Sequence, residues 1–223
     1  MTVKIGEELQ GKFITFEGTE GTGKTTQIRL LQEFLQAHGI AALVTREPGG
    51  TSVGEHVRSL LLESAAIPID SRSELLLMFA ARAQHLEEVI YPALHKGTWV
   101  LCDRFTDASY AYQGGGRGIP DSEIRMVESV VQGDFRPDLT ILLAATLRTA
   151  MRRVSSRGKK DRFEREPGGF FERVQKAYLR LAEKSPGRIA VIDAELEIEE
   201  VAAEIQRVIQ TRFSLQAPGS MLS

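Results

Sequence analysis

The sequence has a single cysteine, Cys102, among 223 residues, so it cannot form an internal disulfide framework or a cysteine-based zinc site. Its four histidines, His38, His56, His85 and His95, lack metal-ligand spacing. No apolar run approaches the roughly 20 residues that span a bilayer. The first eleven residues carry Glu7 and Glu8 and lack the apolar centre of a secretory signal. No membrane contact and a reducing, cytoplasmic setting are therefore expected. An excess of one charge sign is also missing: 28 Lys and Arg face 30 Asp and Glu, a formal net charge of −2. Broad nucleic-acid wrapping needs a strongly basic face, so no nucleic-acid partner is expected, although a local basic site is allowed.

Hydrophobic residues make up 42% of the chain, enough for the core of one ordinary domain, expected over residues 1–213. The small, polar segment 214–223 (SLQAPGSMLS) reads as a flexible tail. Five short apolar runs read as strands: Lys12 to Glu17, Ala41 to Thr45, Thr98 to Cys102, Leu139 to Ala144 and Ile189 to Ile192. Helical patterns lie between them. Lys24 to His38 places Ile28, Leu31 and Leu35 on one face, with Gly39 as its stop. Ser71 opens a pattern that runs to Lys96, with Glu74 placed for a capping box. The last helix spans about Glu197 to Phe213. Strand and helix alternating in this way predict an α/β fold, a doubly wound five-stranded parallel sheet with helices on both faces. Residues 155–169, rich in charge and nearly without apolar side chains, read as a surface loop.

The first strand runs into Gly18-Thr19-Glu20-Gly21-Thr22-Gly23-Lys24-Thr25, a match to G-x-x-x-x-G-K-[ST] that opens a helix. Glycines let the backbone fold around an anion with its N–H groups pointing inward. The helix N-terminus adds partial positive charge. Lys24 then reaches the β and γ phosphates of a nucleoside triphosphate, and the Thr25 hydroxyl ligates Mg²⁺. Trp99-Val100-Leu101-Cys102-Asp103, an apolar strand ending in an acid, offers a second carboxylate near the metal.

A phosphate-binding loop does not by itself separate kinases from switches and ATPases. No N-K-x-D guanine motif is present, and Arg46, Arg58, Arg82, Arg104, Arg157, Arg162 and Arg165 recur where helices and loops meet strand ends. Two anionic substrates in one site repel each other, and guanidinium groups bind phosphate oxygens in pairs. A phosphate monoester is mostly dianionic at pH 7 and needs no general base, whereas a sugar hydroxyl does. Apart from Glu20 and Asp103 no base is evident, which favours a nucleoside monophosphate acceptor. Another nucleoside or nucleotide kinase, acting on deoxycytidine or UMP, stays open, as does a P-loop ATPase switch.

Four segments occur in order: Phe16-Glu17-Gly18-Thr19-Glu20-Gly21-Thr22-Gly23-Lys24-Thr25-Thr26, Thr45-Arg46-Glu47-Pro48-Gly49-Gly50-Thr51, Cys102-Asp103-Arg104-Phe105 and Ala111-Tyr112-Gln113-Gly114. Together they resemble the bacterial thymidylate kinases, over about Lys12 to Phe213. The resemblance implies a P-loop kinase fold with a short lid, phosphorylation of dTMP to dTDP by direct in-line transfer from ATP with Mg²⁺, and a homodimer formed through helices 53–63 and 71–96. It implies ATP contacts along Gly18, Thr19, Glu20, Gly21, Thr22, Gly23, Lys24, Thr25 and Thr26, and metal support from Thr25 and Asp103. Glu20 is expected on the 3′-hydroxyl side of the acceptor sugar, and Arg58 and Arg104 on the dTMP phosphate. Glu47 belongs to the loop shaping the acceptor site. Arg82, Ser109 and Gln113 lie where the family reads the thymine edge, and Tyr112 beside the deoxyribose.

The chain departs from the family pattern where an aromatic residue usually stacks on thymine: that position is Met78, with Phe79 next to it, and either is a candidate to cover the base. Ala81 and Ala108 are two further departures. No basic residue follows Glu20, which matches relatives that supply a catalytic arginine from the lid, here Arg157 or Arg162.

Overall fold

Every residue of Phe13–Glu17 is buried, as the central strand of a sheet covered on both faces requires. This strand, β1, lies between Trp99–Asp103 (β3) and Leu139–Ala144 (β4), while Ala42–Arg46 (β2) and Ile189–Asp193 (β5) form the edges. All pairings are parallel, in the order β2-β3-β1-β4-β5. The computed structural model describes residues 9–63, 68–155, 163, 166 and 168–215. The doubly wound sheet expected from the sequence is present, with β4 at its expected limits and the other strands within one residue of theirs.

Side chains alternate across β1. Ile14 and Phe16 join a core with Ile28, Leu31 and Leu35 of α1 (Lys24–Ala37) and Val201, Ile205 and Ile209 of α9 (Ile198–Phe213). Burying each such side chain contributes roughly 1.5–3 kcal/mol. Phe13 points the other way, onto Phe105, Leu86, Ile90 and Leu94. The next residues on that face, Thr15 and Glu17, are polar yet fully buried. The register sets Phe16 and Arg46 beside Asp103 and Glu17 beside Leu142, so the ends of β1, β2 and β3 converge at one rim. Such a rim, where the strand order reverses, is where ligands bind in open α/β sheets.

The remaining helices are α2 (Ser52–Glu63), α3 (Ser71–His85), α4 (Tyr91–His95), α5 (Thr106–Ser109), α6 (Asp121–Gln132), α7 (Leu147–Ser155) and α8 (Gly168–Lys184). The single helix expected over 71–96 is α3 and α4 joined by a π-helical turn, Leu86–Ile90. Pro92 lacks the N–H that an α-helix would need there, and a wider turn ahead of it accommodates the loss. A second π-helical stretch, Tyr110–Gly116, follows α5. The expected Ser71–Glu74 capping box is not formed. Asp70 caps α3 instead, its Oδ1 accepting from the backbone N–H of Arg72 at 2.9 Å and of Ser73 at 3.4 Å. Glu74 turns inward and is fully buried, accepting from Gln113 Nε2 at 2.9 Å and pairing with Arg117 at 3.3 Å.

The charged 155–169 segment is not wholly a solvated loop. Phe163 is buried and meets the Tyr112 ring edge-on at 5.7 Å, and Glu166 pairs with Arg117 at 2.6 Å. Arg157, Arg162 and Arg165 lie outside the described residues, as do 216–223. Of the expected tail, Ser214 takes a left-handed φ of 52° and Leu215 returns its N–H to Gln210 O, closing α9.

Candidate active site

The loop between β1 and α1 is shaped by its glycines. Gly18 (φ 132°) and Gly21 (φ 80°) hold conformations that disfavour a side chain, and a Cβ would sit 2.5 Å from Leu143 O and 2.3 Å from Ala150 O respectively. Thr22 Oγ1 ties the loop by donating to Thr19 O at 2.9 Å. Gly23 precedes α1 in a left-handed conformation, with no side chain capping the helix and no acid in its first turn. The N–H groups there remain available to an anion. Lys24 Nζ folds under the loop and donates to Gly18 O at 3.1 Å and Thr19 O at 3.0 Å. Burial first, and the Arg104 cation second, push its pKa down to about 8.

A cavity of about 260 Å³ opens above this loop. Its walls bring together Glu20, Gly21, Gly23, Lys24, Thr25, Thr26, Glu47, Arg58, Met78, Arg82, Asp103, Arg104, Ser109, Tyr112 and Gln113, all anticipated from the sequence. Gly18, Thr19 and Thr22 are not on this wall; they set the loop's shape, and Gly18 and Thr19 border a separate small recess beside Tyr178. Phe79 is also off the wall. It is buried in the core with the Arg82 guanidinium 4.4 Å above its ring. Of the two candidates to cover a base, Met78 therefore faces the cavity and Phe79 lies beneath the arginine.

At the β3 end of the cavity, Asp103 Oδ1 is buried and has no hydrogen-bond partner among the described residues. A buried carboxylate oxygen left unpaired is costly, and this one shares the wall with the Thr25 hydroxyl. A hard cation with phosphate ligands satisfies both. Arg104, the next residue, has a left-handed φ of 72°, which turns its side chain from the strand back across the loop. Its guanidinium donates to Gly18 O at 3.0 Å, to Tyr178 OH at 3.3 Å and to Glu20 Oε1 at 2.8 Å, and lies 4.8 Å from the Tyr112 ring centre. Tyr112 OH in turn donates to Glu20 Oε2 at 2.8 Å. Burial opposes the Glu20 charge, but Arg104, Lys24 and the Tyr112 hydroxyl hold its pKa below the usual carboxylate range.

The opposite end is built on α2, α3 and the loop 47–51. Arg58 Nη1 donates to Pro48 O at 3.0 Å. Arg46 lies beside it on the wall and pairs with Glu55 at 2.9 Å. Glu47 is buried and accepts from Arg82 Nε at 2.7 Å. Arg82 Nη2 donates to Phe105 O and Ser109 Oγ, both at 3.1 Å. Its Nη1 is buried without a partner among the described residues. A fixed guanidinium on a cavity wall with an unused donor awaits an acceptor from a ligand. Gln113 is anchored by Glu74, as described above.

Several residues of this framework were not anticipated. Glu17 ends the apolar strand β1, accepting the Phe105 N–H at 2.8 Å and the Tyr178 hydroxyl at 2.7 Å. Burial, with the nearby Asp107 charge adding to it, raises its pKa to about 8. Asp107 itself is held by Arg188 through two bonds of 2.6 and 2.8 Å. An acid closing a largely apolar strand was the available signal for Glu17. Tyr178, Arg188, Arg117 and His85 carried none, because their partners lie far away in sequence.

The thymidylate kinase family profile matches residues 16–205. The chain is 52% identical to the thymidylate kinase of Chromohalobacter salexigens over 92% of its length and 97% of the relative's. It is 50% identical to that of Alkalilimnicola ehrlichii over 95% and 98% of the two chains. A crystal structure of thymidylate kinase from Ehrlichia chaffeensis superposes with a TM-score of 0.74 at 37% identity, covering 90% of this chain and 98% of that one. A match this long, running through every segment that builds the cavity, means that the chain belongs to the thymidylate kinase family.

Proposed function

We propose that the protein transfers the γ-phosphoryl group of ATP to dTMP, giving dTDP and ADP, with Mg²⁺ bound. Family membership supports this chemistry. The observation that carries it is the pairing of two unsatisfied groups in one cavity: Asp103 Oδ1 at the P-loop end and Arg82 Nη1 at the far end. One suits a metal-bound triphosphate and the other an acceptor atom of a base.

Lys24 and the N–H groups of Gly21 to Thr26 hold the donor phosphates, which replace the Gly18 and Thr19 carbonyls as partners of Lys24. Thr25 and Asp103 would hold Mg²⁺, which would supply positive charge to neutralise the phosphates. Arg58 and Arg104 hold the acceptor phosphate. Its oxygen forms the new bond to the γ-phosphorus, the bond to the ADP oxygen breaks, and no base is required. Glu20 and Tyr112 receive the sugar, while Met78, Arg82, Ser109 and Gln113 receive the base. A lid arginine, Arg157 or Arg162, completes the charge stabilisation. A homodimer and a cytoplasmic location belong to the same reading; among the described residues no helix is long and apolar enough to cross a membrane.

ADP release with ATP, Mg²⁺ and a panel of dTMP, dUMP, dCMP, UMP, thymidine and deoxycytidine tests this. The expected result is a kcat/KM for dTMP ~10²-fold or more above that for the cytosine nucleotides, whose ring edge mismatches the fixed donors. Preferred turnover of UMP or deoxycytidine would replace dTMP as the acceptor, and ATP hydrolysis without a phosphorylated acceptor would mark a switch ATPase.

A further inference from the structure

His85 is fully buried on the last turn of α3, and the reaction as described makes no use of it. Its ring is nonetheless bonded at both nitrogens. Nδ1 lies 3.0 Å from Glu47 Oε1 and Nε2 lies 2.7 Å from Thr45 Oγ1. Glu47 Oε2 takes Arg82 Nε at 2.7 Å. The four side chains form one line from the edge strand β2, through α3 and the loop after β2, to the guanidinium of Arg82, which lines the cavity and whose buried Nη1 has no partner among the described residues.

The same ring also seats the loop. A Cβ on Gly50 would lie 2.6 Å from His85 Nε2 and 2.7 Å from Thr45 Oγ1, so the backbone of the 47–50 segment rests directly on this pair. Only glycine combines that approach with the φ of 78° seen there. Immediately after His85 the helix widens into the π-helical turn 86–90, a distortion that recurs at functional sites. Without the imidazole, Glu47 Oε1 would lose its contact with Nδ1, and the carboxylate would be free to rotate away from Arg82.

We propose that His85 is a positioning residue for acceptor recognition: by holding Glu47 it fixes the direction in which Arg82 presents its unused donor to the base of the incoming nucleotide. Each ring nitrogen has one partner, Nδ1 the Glu47 carboxylate and Nε2 the Thr45 hydroxyl, so the ring is held from both sides. The inference rests on the dTMP kinase reading above, and it separates from it experimentally, since wild-type turnover with dTMP tests that reading first.

The experiment measures dTMP and ATP binding by calorimetry, and KM for each, in wild type, His85→Leu and His85→Asn. Leu keeps the bulk and removes both bonds; Asn keeps a donor near the Nδ1 position. The expected result for His85→Leu is dTMP affinity down about tenfold, the worth of one well-placed buried hydrogen bond, with ATP affinity within twofold of wild type. His85→Asn is expected to recover most of the loss. A dTMP affinity within twofold of wild type in folded His85→Leu overturns the proposal, as does an equal loss for both nucleotides, which marks a general structural role. If His85→Leu does not fold, His85→Gln, which keeps the contact to Thr45 and gives up the one to Glu47, is read against the same limits.

Discussion

Lys24 carries its charge where burial disfavours it. Among the described residues its hydrogen-bond partners are two carbonyls, and Arg104 repels it. Its pKa falls from an ordinary 10.5 to about 8. Below pH 8 the amine is protonated in both the folded and the unfolded chain, so the full penalty of burying the charge is present, about 3 kcal/mol from the size of the shift. As pH rises from about 8 towards 10.5 the folded state sheds its proton first and the penalty fades. Removing the amine also gives up two hydrogen bonds from a charged group, about 1.5–3 kcal/mol each and of the same order as the penalty, so the pH dependence is the readout. In urea unfolding without nucleotide, wild type is expected to gain stability relative to Lys24→Met as pH rises from about 8 towards 10.5, by up to about 3 kcal/mol. A stability difference between the two proteins that stays constant from pH 7 to pH 10 would contradict this account of the loop.

Elements differ in how much of them the sequence declared. β1, the loop and α1 were legible because glycine spacing, an apolar run and a helical stripe act locally and agree with one another. Asp103 was legible as an acid at the end of an apolar strand. Glu47 and Ser109 were found only through family resemblance, and Arg82 stood out only as one of a set of recurring arginines, its place at the base coming from the resemblance, since a single arginine on a helix looks like any surface cation until its buried partners are known. His85 and Glu17 were not found at all. Their partners lie 38 to 161 residues away in sequence, so no local pattern records them. The start of α3 was misread for a related reason. Ser71 and Glu74 satisfy a capping pattern, but Glu74 is drawn inward by Gln113 and Arg117, and Asp70 takes over the cap. Removing that cap with Asp70→Ala is expected to lower stability by about 1 kcal/mol, whereas Ser71→Ala should leave it within a few tenths. Thermal melts of the two variants, compared with wild type, distinguish the two readings of this helix start.

At the scale of the whole molecule, the acceptor side of the cavity is carried by helices that leave apolar side chains in water. Val53 and Leu60 on α2, Leu76 on α3, and Met126 and Val130 on α6 are all exposed, Leu76 at 56% and Val130 at 86%. α3 packs against both α2 and α6, so these side chains belong to neighbouring helices rather than to scattered loops. Exposed apolar groups on adjacent helices favour association. In a two-fold assembly a substitution in the contact is present twice, opposite or near its own copy. A homodimer through this layer would brace Arg58 on α2 and Arg82 on α3 from behind, tying the geometry of the acceptor site to assembly. Sedimentation of wild type at micromolar concentration is expected to give a dimer, and Leu76→Glu, which places two carboxylates in the contact, a monomer with an unchanged fold by circular dichroism. The monomer should retain ATP binding, since the P-loop lies between β1 and α1, and should bind dTMP more weakly. A wild-type monomer under those conditions would remove the dimer from this account and leave the exposed leucine without a partner.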